Sequence, residues 1–449
     1  MKPNAILKDF THFVSLNVLG MIGLSCYILA DTFFVAKGLG TNGLTALGLA
    51  ISGYSFIQGT GLMIGVGGAT RYAIWKSQGK HDAANRVFTH SVVLAIAAGF
   101  LFAAAGLFLS TPISRLLGAD GLILDMTALY LKTVLCFSPF FILNNLMLAF
   151  VRNDGNPHLA MAAMLAGSLS NVLLDYILIF PLDMGIFGAA LATGLAPILG
   201  MAVLSIHIVK RRNGFHLRRV RPDPACALDL CSLGLSSLIT ELASGLVLIV
   251  FNLVILRLSG NIGVAAYSVV ANLSLVVISI FTGIAQGLQP LVSSSYGRAQ
   301  YVELRQLLRY AVLLSVVLAV LLYLVACLFS DGLVAIFNRE ADPQLAALAK
   351  DGLLLYFAGF LFAGFNIVTS AYLSAVAQPR PAFAVCILRG CVAILPAVFA
   401  LAALWGMNGV WLSFPCAEAI ASVAGILTLR RSFPGEKQKN SPVSPIRPV

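Results

Sequence analysis

Residues 65–86 read GVGGATRYAIWKSQGKHDAANR, and residues 283–305 read GIAQGLQPLVSSSYGRAQYVELR. Each is the end of a long apolar run followed by a short basic turn. Gly65 aligns with Gly283, Ser77 with Ser295, Gly79 with Gly297 and Lys80 with Arg298, all at a spacing of 218 residues. Upstream, Asn42 and Ala46 align with Asn261 and Ala265 at a spacing of 219. Downstream, GIFGAALA at 185–192 aligns with GMNGVWLS at 406–413 at 221. A spacing that drifts so little along the chain marks an internal repeat. The repeating unit is apolar, and twelve such segments can be read: 13–36, 46–70, 87–110, 127–150, 158–181, 185–209, 229–257, 262–290, 308–330, 351–375, 382–404 and 407–429. A membrane-spanning helix needs about 20 apolar residues. Only helices and closed barrels satisfy the backbone in lipid, and barrel strands would be about 10 residues long and alternating. Six segments fall in each half, so the second half enters the bilayer in the same sense as the first. The predicted fold is therefore an all-α integral membrane protein of twelve transmembrane helices in two parallel six-helix repeats. Parallel repeats about an axis along the membrane normal are a transporter architecture, with the substrate path between the halves.

Composition agrees. The chain has 449 residues, 59% of them hydrophobic and 10% charged, with a mean hydropathy of +0.92. A soluble domain carries about 25% charged residues, so a soluble enzyme, a nucleic-acid-binding domain and a disordered chain are excluded. The net charge of +11 comes from basic residues in alternate short connections, among them Arg71, Lys76, Lys80 and Arg86, then Lys210 to Arg221, then Arg298, Arg305 and Arg309. That bias puts these connections and both termini on the cytoplasmic side of the cell inner (plasma) membrane. The longest internal connection, Lys210 to Leu228, divides the chain into an N-terminal bundle (1–209), a cytoplasmic basic linker (210–228), a C-terminal bundle (229–431) and a disordered tail (432–449). The first apolar run lacks the cleavage site of a signal peptide. The eight cysteines lie mostly within apolar stretches, show no metal spacing, and read as packing residues. There is no phosphate-binding loop and no connection long enough to hold a nucleotide domain.

Four acids fall inside the spans: Asp31, Asp175, Glu241 and Glu418. Charge at the bilayer centre costs about 2.5–3.5 kcal/mol on insertion scales and marks a functional candidate. Asp31 lies six residues before Lys37, and Asp175 six residues before Pro181. At a rise of about 1.5 Å per residue, each sits about 9 Å below the outer end of its helix. Two carboxyls at one depth of one bundle point to a shared cavity. Asn171 is one helical turn from Asp175 and shares its face, and Thr193 lies at a compatible depth. This set of hard oxygen ligands suits a proton or a small alkali cation such as Na+. The repeat carries no counterpart: the positions corresponding to Asp31, Asn171 and Asp175 are Val250, Val392 and Pro396. Glu241 is a candidate near mid-membrane for contact with substrate or protons, and Gln58, Asn144 and Asn145 are substrate-pathway candidates for which helix–helix bonding is the stronger reading. Glu418 and Arg389 are placed to pair with each other. The aromatic residues discriminate nothing, because lipid-facing, packing and ligand-binding roles fit them equally.

ADTFFVAKGLGTNGLTALGLA (30–50), VRNDGNP (151–157), NVLLDYILIFPLDMGIFGAALAT (171–193) and GLQPLVSSSYGR (287–298) resemble the multidrug and toxic compound extrusion (MATE) transporters. The Asn-x-x-x-Asp of the fifth span is more similar to the DinF-like and MepA-like branches than to the NorM branch. The resemblance covers nearly the whole chain. It implies two six-helix lobes in a V that open alternately to each side, and export of cationic, amphipathic compounds driven by inward H+ or Na+. By motif match, the N-lobe cation site of the DinF-like branch falls on Asp31, Asn171, Asp175 and Thr193. The helix-seven acid of the NorM-like branch falls in the region of Glu241, while the helix-ten acid of that branch is replaced by Asn366.

The expected mechanism is antiport by competition. Desolvation and mutual repulsion make it costly for both Asp31 and Asp175 to stay ionised, so the pair takes H+ or Na+ in the outward state and releases it inward. The alternative is a lipid-linked oligosaccharide or peptidoglycan-precursor flippase, for which the chain offers only Arg389 and, near a helix end, Arg257 as cavity cations. An integral membrane enzyme would need polar catalytic groups clustered at one membrane face, and the sequence shows none. The expectation is therefore a non-enzymatic carrier without a cofactor beyond its coupling ion. Its partners are small-molecule substrates and the bilayer, with no nucleic acid, and the chain is expected to be a monomer.

Overall fold

The computed structural model describes residues 3–338 and 342–432; the predicted tail lies outside them beyond residue 432. Twelve helical spans are present among the described residues. Pro3–Ser77 is one helical run broken at Gly40, giving α1 (3–39) and α2 (41–77). Then come α3 (His81–Leu116), α4 (Gly121–Cys136 continued by Ser138–Asn153), α5 (Pro157–Ile179) and α6 (Gly185–Val209). Pro224–Gly297 breaks at Gly260 into α7 (224–259) and α8 (261–297). These are followed by α9 (Tyr301–Leu328), a short helix Ser330–Phe337, and α10 (Pro343–Phe357 continued by Phe360–Ala375). The last run breaks at Gly406 into α11 (379–405) and α12 (407–432), and α11 contains a π-helical turn at Leu388–Val392. The helices outrun the apolar segments because their polar and basic ends keep helical hydrogen bonding beyond the lipid. Phe100, Leu101, Phe108, Leu173, Leu321, Leu324 and Val423 are exposed on the outer faces, as spans that meet lipid require.

The repeat is visible in the backbone. Gly40 adopts φ 65°, ψ −157°, and Gly260 adopts φ 62°, ψ −154°. Both values are open only to a residue without a Cβ, and they turn one span directly into the next. α4 bends by 49° and α10 by 46° at matching places.

The halves are joined at the end that carries both termini. There α1 and α7 exchange partners. Ile6, Phe10 and Val14 of α1 belong to the core of the C-terminal half, and Gly283 and Gly287 of α8 have no side chain where the α1 backbone at Val18 and Val14 crosses them. Reciprocally, Cys226 and Leu230 of α7 belong to the N-terminal core, and Gly67 of α2 lies against the Leu230 carbonyl. Polar contacts add to this seam. Arg71 holds Asp229 through Nε (2.7 Å) and Nη2 (2.5 Å). Gln289 donates to Thr70 Oγ1 (2.8 Å), and its carbonyl accepts from Asn153 Nδ2 (2.8 Å). Ser25 donates to Ser279 Oγ at 2.5 Å.

The connection between the halves is shorter than the sequence suggests, because α7 begins at Pro224 where 228 had been expected as the linker's end. It runs as a strap over the N-terminal bundle. Phe215 is 1% exposed and its ring centroid lies 4.6 Å from that of Phe88. The His216 and Arg218 N–H groups donate to Asn85 Oδ1 (2.8 Å) and Thr89 Oγ1 (3.0 Å). Asp154 anchors the strap: it accepts from the Gly214 N–H (2.7 Å) and Tyr72 Oη (2.7 Å), contacts His207 Nε2 (2.8 Å), and pairs with Lys76. Burial alone would push its carboxyl up, but Lys76, the Gly214 N–H, His207 and Tyr72 outweigh burial and hold it below the usual carboxylate range.

Candidate functional site

The N-terminal bundle brings Asp31 of α1 and Asp175 of α5 together, carboxyl to carboxyl, within hydrogen-bonding range. Asp31 is 8% exposed and Asp175 is fully buried. Asn171, one turn before Asp175, donates from Nδ2 to Asp175 Oδ2 (3.0 Å), and its Oδ1 accepts from the Thr193 backbone N–H of α6 (3.2 Å). Oδ1 of Asp31 and Oδ1 of Asp175 are buried without a hydrogen-bond partner among the described residues. Two ionised carboxylates in this contact would repel strongly at low dielectric. A shared proton or a small cation between two such carboxyls relieves that repulsion. The four residues singled out in the sequence form one cluster.

Three tyrosines not among the sequence candidates complete its wall. Tyr27 lies one turn before Asp31, and its hydroxyl is hydrogen-bonded to that of Tyr54 of α2. Tyr130 of α4 lies near both carboxyls, with its hydroxyl 3.5 Å from Thr193 Oγ1. The one usable signal was the four-residue spacing of Tyr27 and Asp31.

The substrate-pathway candidates separate. Glu241 of α7 lies on the seam between halves. A Cβ on Gly59 of α2 would fall 3.3 Å from the Glu241 Cβ, and Tyr54 faces the carboxylate across the seam. Tyr54 therefore stands between the Asp31 cluster and Glu241. Gln58 and Asn145 are bonded to each other (Nδ2 to Oε1, 2.9 Å), tying α2 to α4. Asn144 turns away from them toward Gly200 of α6, with its Oδ1 buried and unpartnered.

The C-terminal bundle holds its own buried carboxylate. Glu418 of α12 is 2% exposed and accepts from Arg389 of α11 through Nη2 (2.7 Å to Oε1) and Nε (3.0 Å to Oε1). Asn366 of α10 donates from Nδ2 to Glu418 Oε2 (2.6 Å), and Ser422 donates to Asn366 Oδ1 (3.0 Å). Arg389 is thus committed to an internal partner, which weakens the flippase alternative that relied on it as a free central cation.

Comparison with known proteins follows the same lines. The MatE family profile matches residues 18–177 and 237–399. The chain is 25% identical over 428 residues to the multidrug export protein MepA of Staphylococcus saprophyticus, covering 95% of this chain and 94% of that protein. MepA of Staphylococcus aureus matches at 25% over 428 residues with the same coverage. A solved outward-facing conformation of a multidrug resistance MATE family transporter of the MOP superfamily has a TM-score of 0.90 at 22% identity, over 98% of this chain and 99% of that one. A MATE crystal structure in the bent conformation gives 0.86 at 22%, over 98% and 99%. The fold is common to this chain and both solved structures.

Proposed function

The chain belongs to the MatE family of membrane transporters, and from that premise we propose that it exports cationic, amphipathic compounds in exchange for H+ or Na+ taken up at Asp31, Asp175, Asn171 and Thr193. The observation that carries this reading is the buried contact of two carboxyls, each with an unpartnered oxygen. Such a pair is a receptor for one monovalent cation, and no cofactor beyond the coupling ion enters the scheme.

Coupling follows from competition. The empty pair favours a state in which its negative charge meets water or a cationic substrate. The loaded pair is neutral or singly charged and favours closure. A cation and a substrate that prefer different states are coupled by that difference in affinity. Tyr54 and Glu241 give the substrate a route from the N-lobe cluster to the seam: an aromatic face and a carboxylate suit an amphipathic cation. With the termini cytoplasmic, the seam of Arg71, Asp229, Gln289 and Asn153 closes the cytoplasmic end, which makes this the outward-facing arrangement, poised to accept the external cation. The relatives named multidrug export proteins support the substrate class.

The test is efflux of a fluorescent organic cation from proteoliposomes, with a pH gradient and a Na+ gradient imposed one at a time. One gradient should drive efflux in the parent and neither should drive it in D31N or D175N, with all three proteins inserted equally. Gradient-driven efflux by both single variants at the parent rate would falsify the assignment.

A further inference from the structure

The two lobes treat buried carboxylates in opposite ways. Around Glu418 every carboxylate oxygen is engaged: Oε1 by Arg389 Nη2 (2.7 Å) and Nε (3.0 Å), and Oε2 by Asn366 Nδ2 (2.6 Å). Asn366 is itself fixed, donating also to the Glu418 carbonyl (2.8 Å) and accepting from Ser422 (3.0 Å). Three helices, α10, α11 and α12, thus converge on one negative charge. Arg389 reaches it from a place where the backbone departs from the α-helix. Leu388–Val392 forms a π turn, closed by the Ala393 N–H donating to the Leu388 carbonyl at 2.8 Å. π turns insert a residue and re-aim side chains, and they concentrate at functional sites. Gly390 abuts Ala243 of α7, two residues from Glu241, so the pair stands beside the seam between lobes. Tyr356 of α10 faces both partners, with Tyr267 of α8 behind it.

We propose that the Glu418 carboxylate, oriented by Asn366, is a monovalent-cation site whose occupant is tethered to the chain: the guanidinium of Arg389 takes the place of the exchangeable ion. In the N-lobe the carboxyls lack a cation of their own and must acquire one in each cycle. In the C-lobe the cation is covalently attached, is positioned by the π turn, and never leaves. The Glu418 site is therefore permanently loaded and exchanges no coupling ion. Removing the guanidinium leaves the Glu418 carboxylate with one amide N–H partner, from Asn366, and an open oxygen, Oε1, facing a buried space the size of the lost group. A small alkali cation or a proton then enters it. This inference concerns the other lobe from the coupling assignment and stands or falls separately from it.

The test uses the full chain with the N-lobe site silenced. In the D31N/D175N background, thermal unfolding is followed against Na+ at constant ionic strength and against pH. The background protein should respond to neither through Glu418. Adding R389M should produce a Tm that climbs with Na+ or with acidification. Adding R389M and E418Q together should abolish that response while leaving the protein folded. A folded R389M protein whose Tm tracks that of R389M/E418Q at every Na+ concentration and pH overturns the proposal. So does an R389M protein that stays unfolded under all those conditions, because a vacant cation site would be rescued by its ion. An R389M protein recovered only in high Na+ or at low pH, beside an R389M/E418Q protein that needs neither, supports it in stronger form.

Discussion

In the N-lobe, Asp31 and Asp175 face one another with an unpartnered oxygen on each. In the C-lobe, Glu418 is saturated by Arg389 and Asn366. The backbones around these groups follow one plan, down to the near-identical breaks at Gly40 and Gly260. At the spacing of 221 residues, Arg389 corresponds to Ser168 and Glu418 to Pro197. Asp175 lies seven residues further along α5 than Ser168, about 10 Å nearer the outer end at the helical rise. The lobes therefore differ in both the depth and the chemistry of their buried charge. One scaffold can carry an exchangeable site and a fixed one, because a six-helix bundle fixes the backbone and leaves its few polar positions free to vary. On the proposed function, the asymmetry gives the carrier a single place where an external cation changes the charge.

The largest effect is expected where the fixed charge is broken. R389M leaves Glu418 buried and unpaired, and breaking one side of a buried pair costs about 3–5 kcal/mol. R389M/E418Q removes both charges and should cost clearly less, so a double-mutant cycle of unfolding free energies should show strong coupling. Additive costs would mean that the pair contributes only packing. Next comes the exchangeable charge. D31N and D175N should each reduce gradient-driven efflux on the order of 100-fold, the upper range of a coupling free energy of about 1–3 kcal/mol, with unfolding hardly changed. R389M/E418Q should keep its efflux. Loss of efflux in that double variant would move coupling into both lobes and erase the contrast drawn here.

How much of this was legible depends on what each feature needs. The twelve spans are written locally, in runs of apolar residues as long as a bilayer is thick. Asp31 and Asp175 were legible because charge in a span is costly and because their helix ends gave a common depth. Glu418 and Arg389 could be matched in the same way, as two opposite charges near one level. The π turn that aims Arg389 was not legible: LRGCV at 388–392 carries no residue that demands it. The breaks at Gly40, Gly260 and Gly406 lie among many other glycines, and the sequence does not say which will take a positive φ. The strap anchored by Asp154 needs α2, α4, α6 and the linker to meet at one point, and no local pattern encodes such a meeting, although VRNDGNP stood out as a motif. The tyrosines were hidden by the opposite problem: an aromatic residue in a span suits lipid, core and site alike.

Asp154 offers a third kind of acid against which to set the other two, held low by partners at the terminal end of the N-lobe. Its folded-state value lies below the usual one, so its contribution to stability is complete above the usual carboxylate range and is lost as pH falls through the depressed value. The Asp154 side chain is 1% exposed, so D154N should destabilise the chain at neutral pH by about 1.5–3 kcal/mol, the scale of hydrogen bonds to a charged group. It should also flatten the decline of Tm below about pH 4, the ordinary carboxylate range. Above that range the variant and the parent should run parallel, because the coupling carboxyls are untouched. A D154N profile that declines below about pH 4 as steeply as the parent's would show that the Asp154 charge does not contribute to the acid loss of stability.

The smallest effect is expected at the seam. Arg71 is nearly buried, but the Asp229 side chain is 41% exposed, so solvent screens the pair and its worth is about 0.5–1 kcal/mol. That is still enough to change a two-state ratio about two- to fivefold. The pair joins α2 to α7 at the closed end and has to separate when that end opens, so it stabilises one state and not the other. R71Q and D229N should each raise the fraction of molecules open at the terminal end. Spin labels at Gln78 and Ala299, both exposed on either side of that end, would report the change as a growing long-distance population. The shift should occur equally in the D31N/D175N background, because the seam biases the conformational equilibrium without touching the cation. If the shift appears only when the N-lobe carboxyls are intact, the seam senses their occupancy directly, and the division between a charge that is exchanged and a hinge that merely follows it would have to be redrawn.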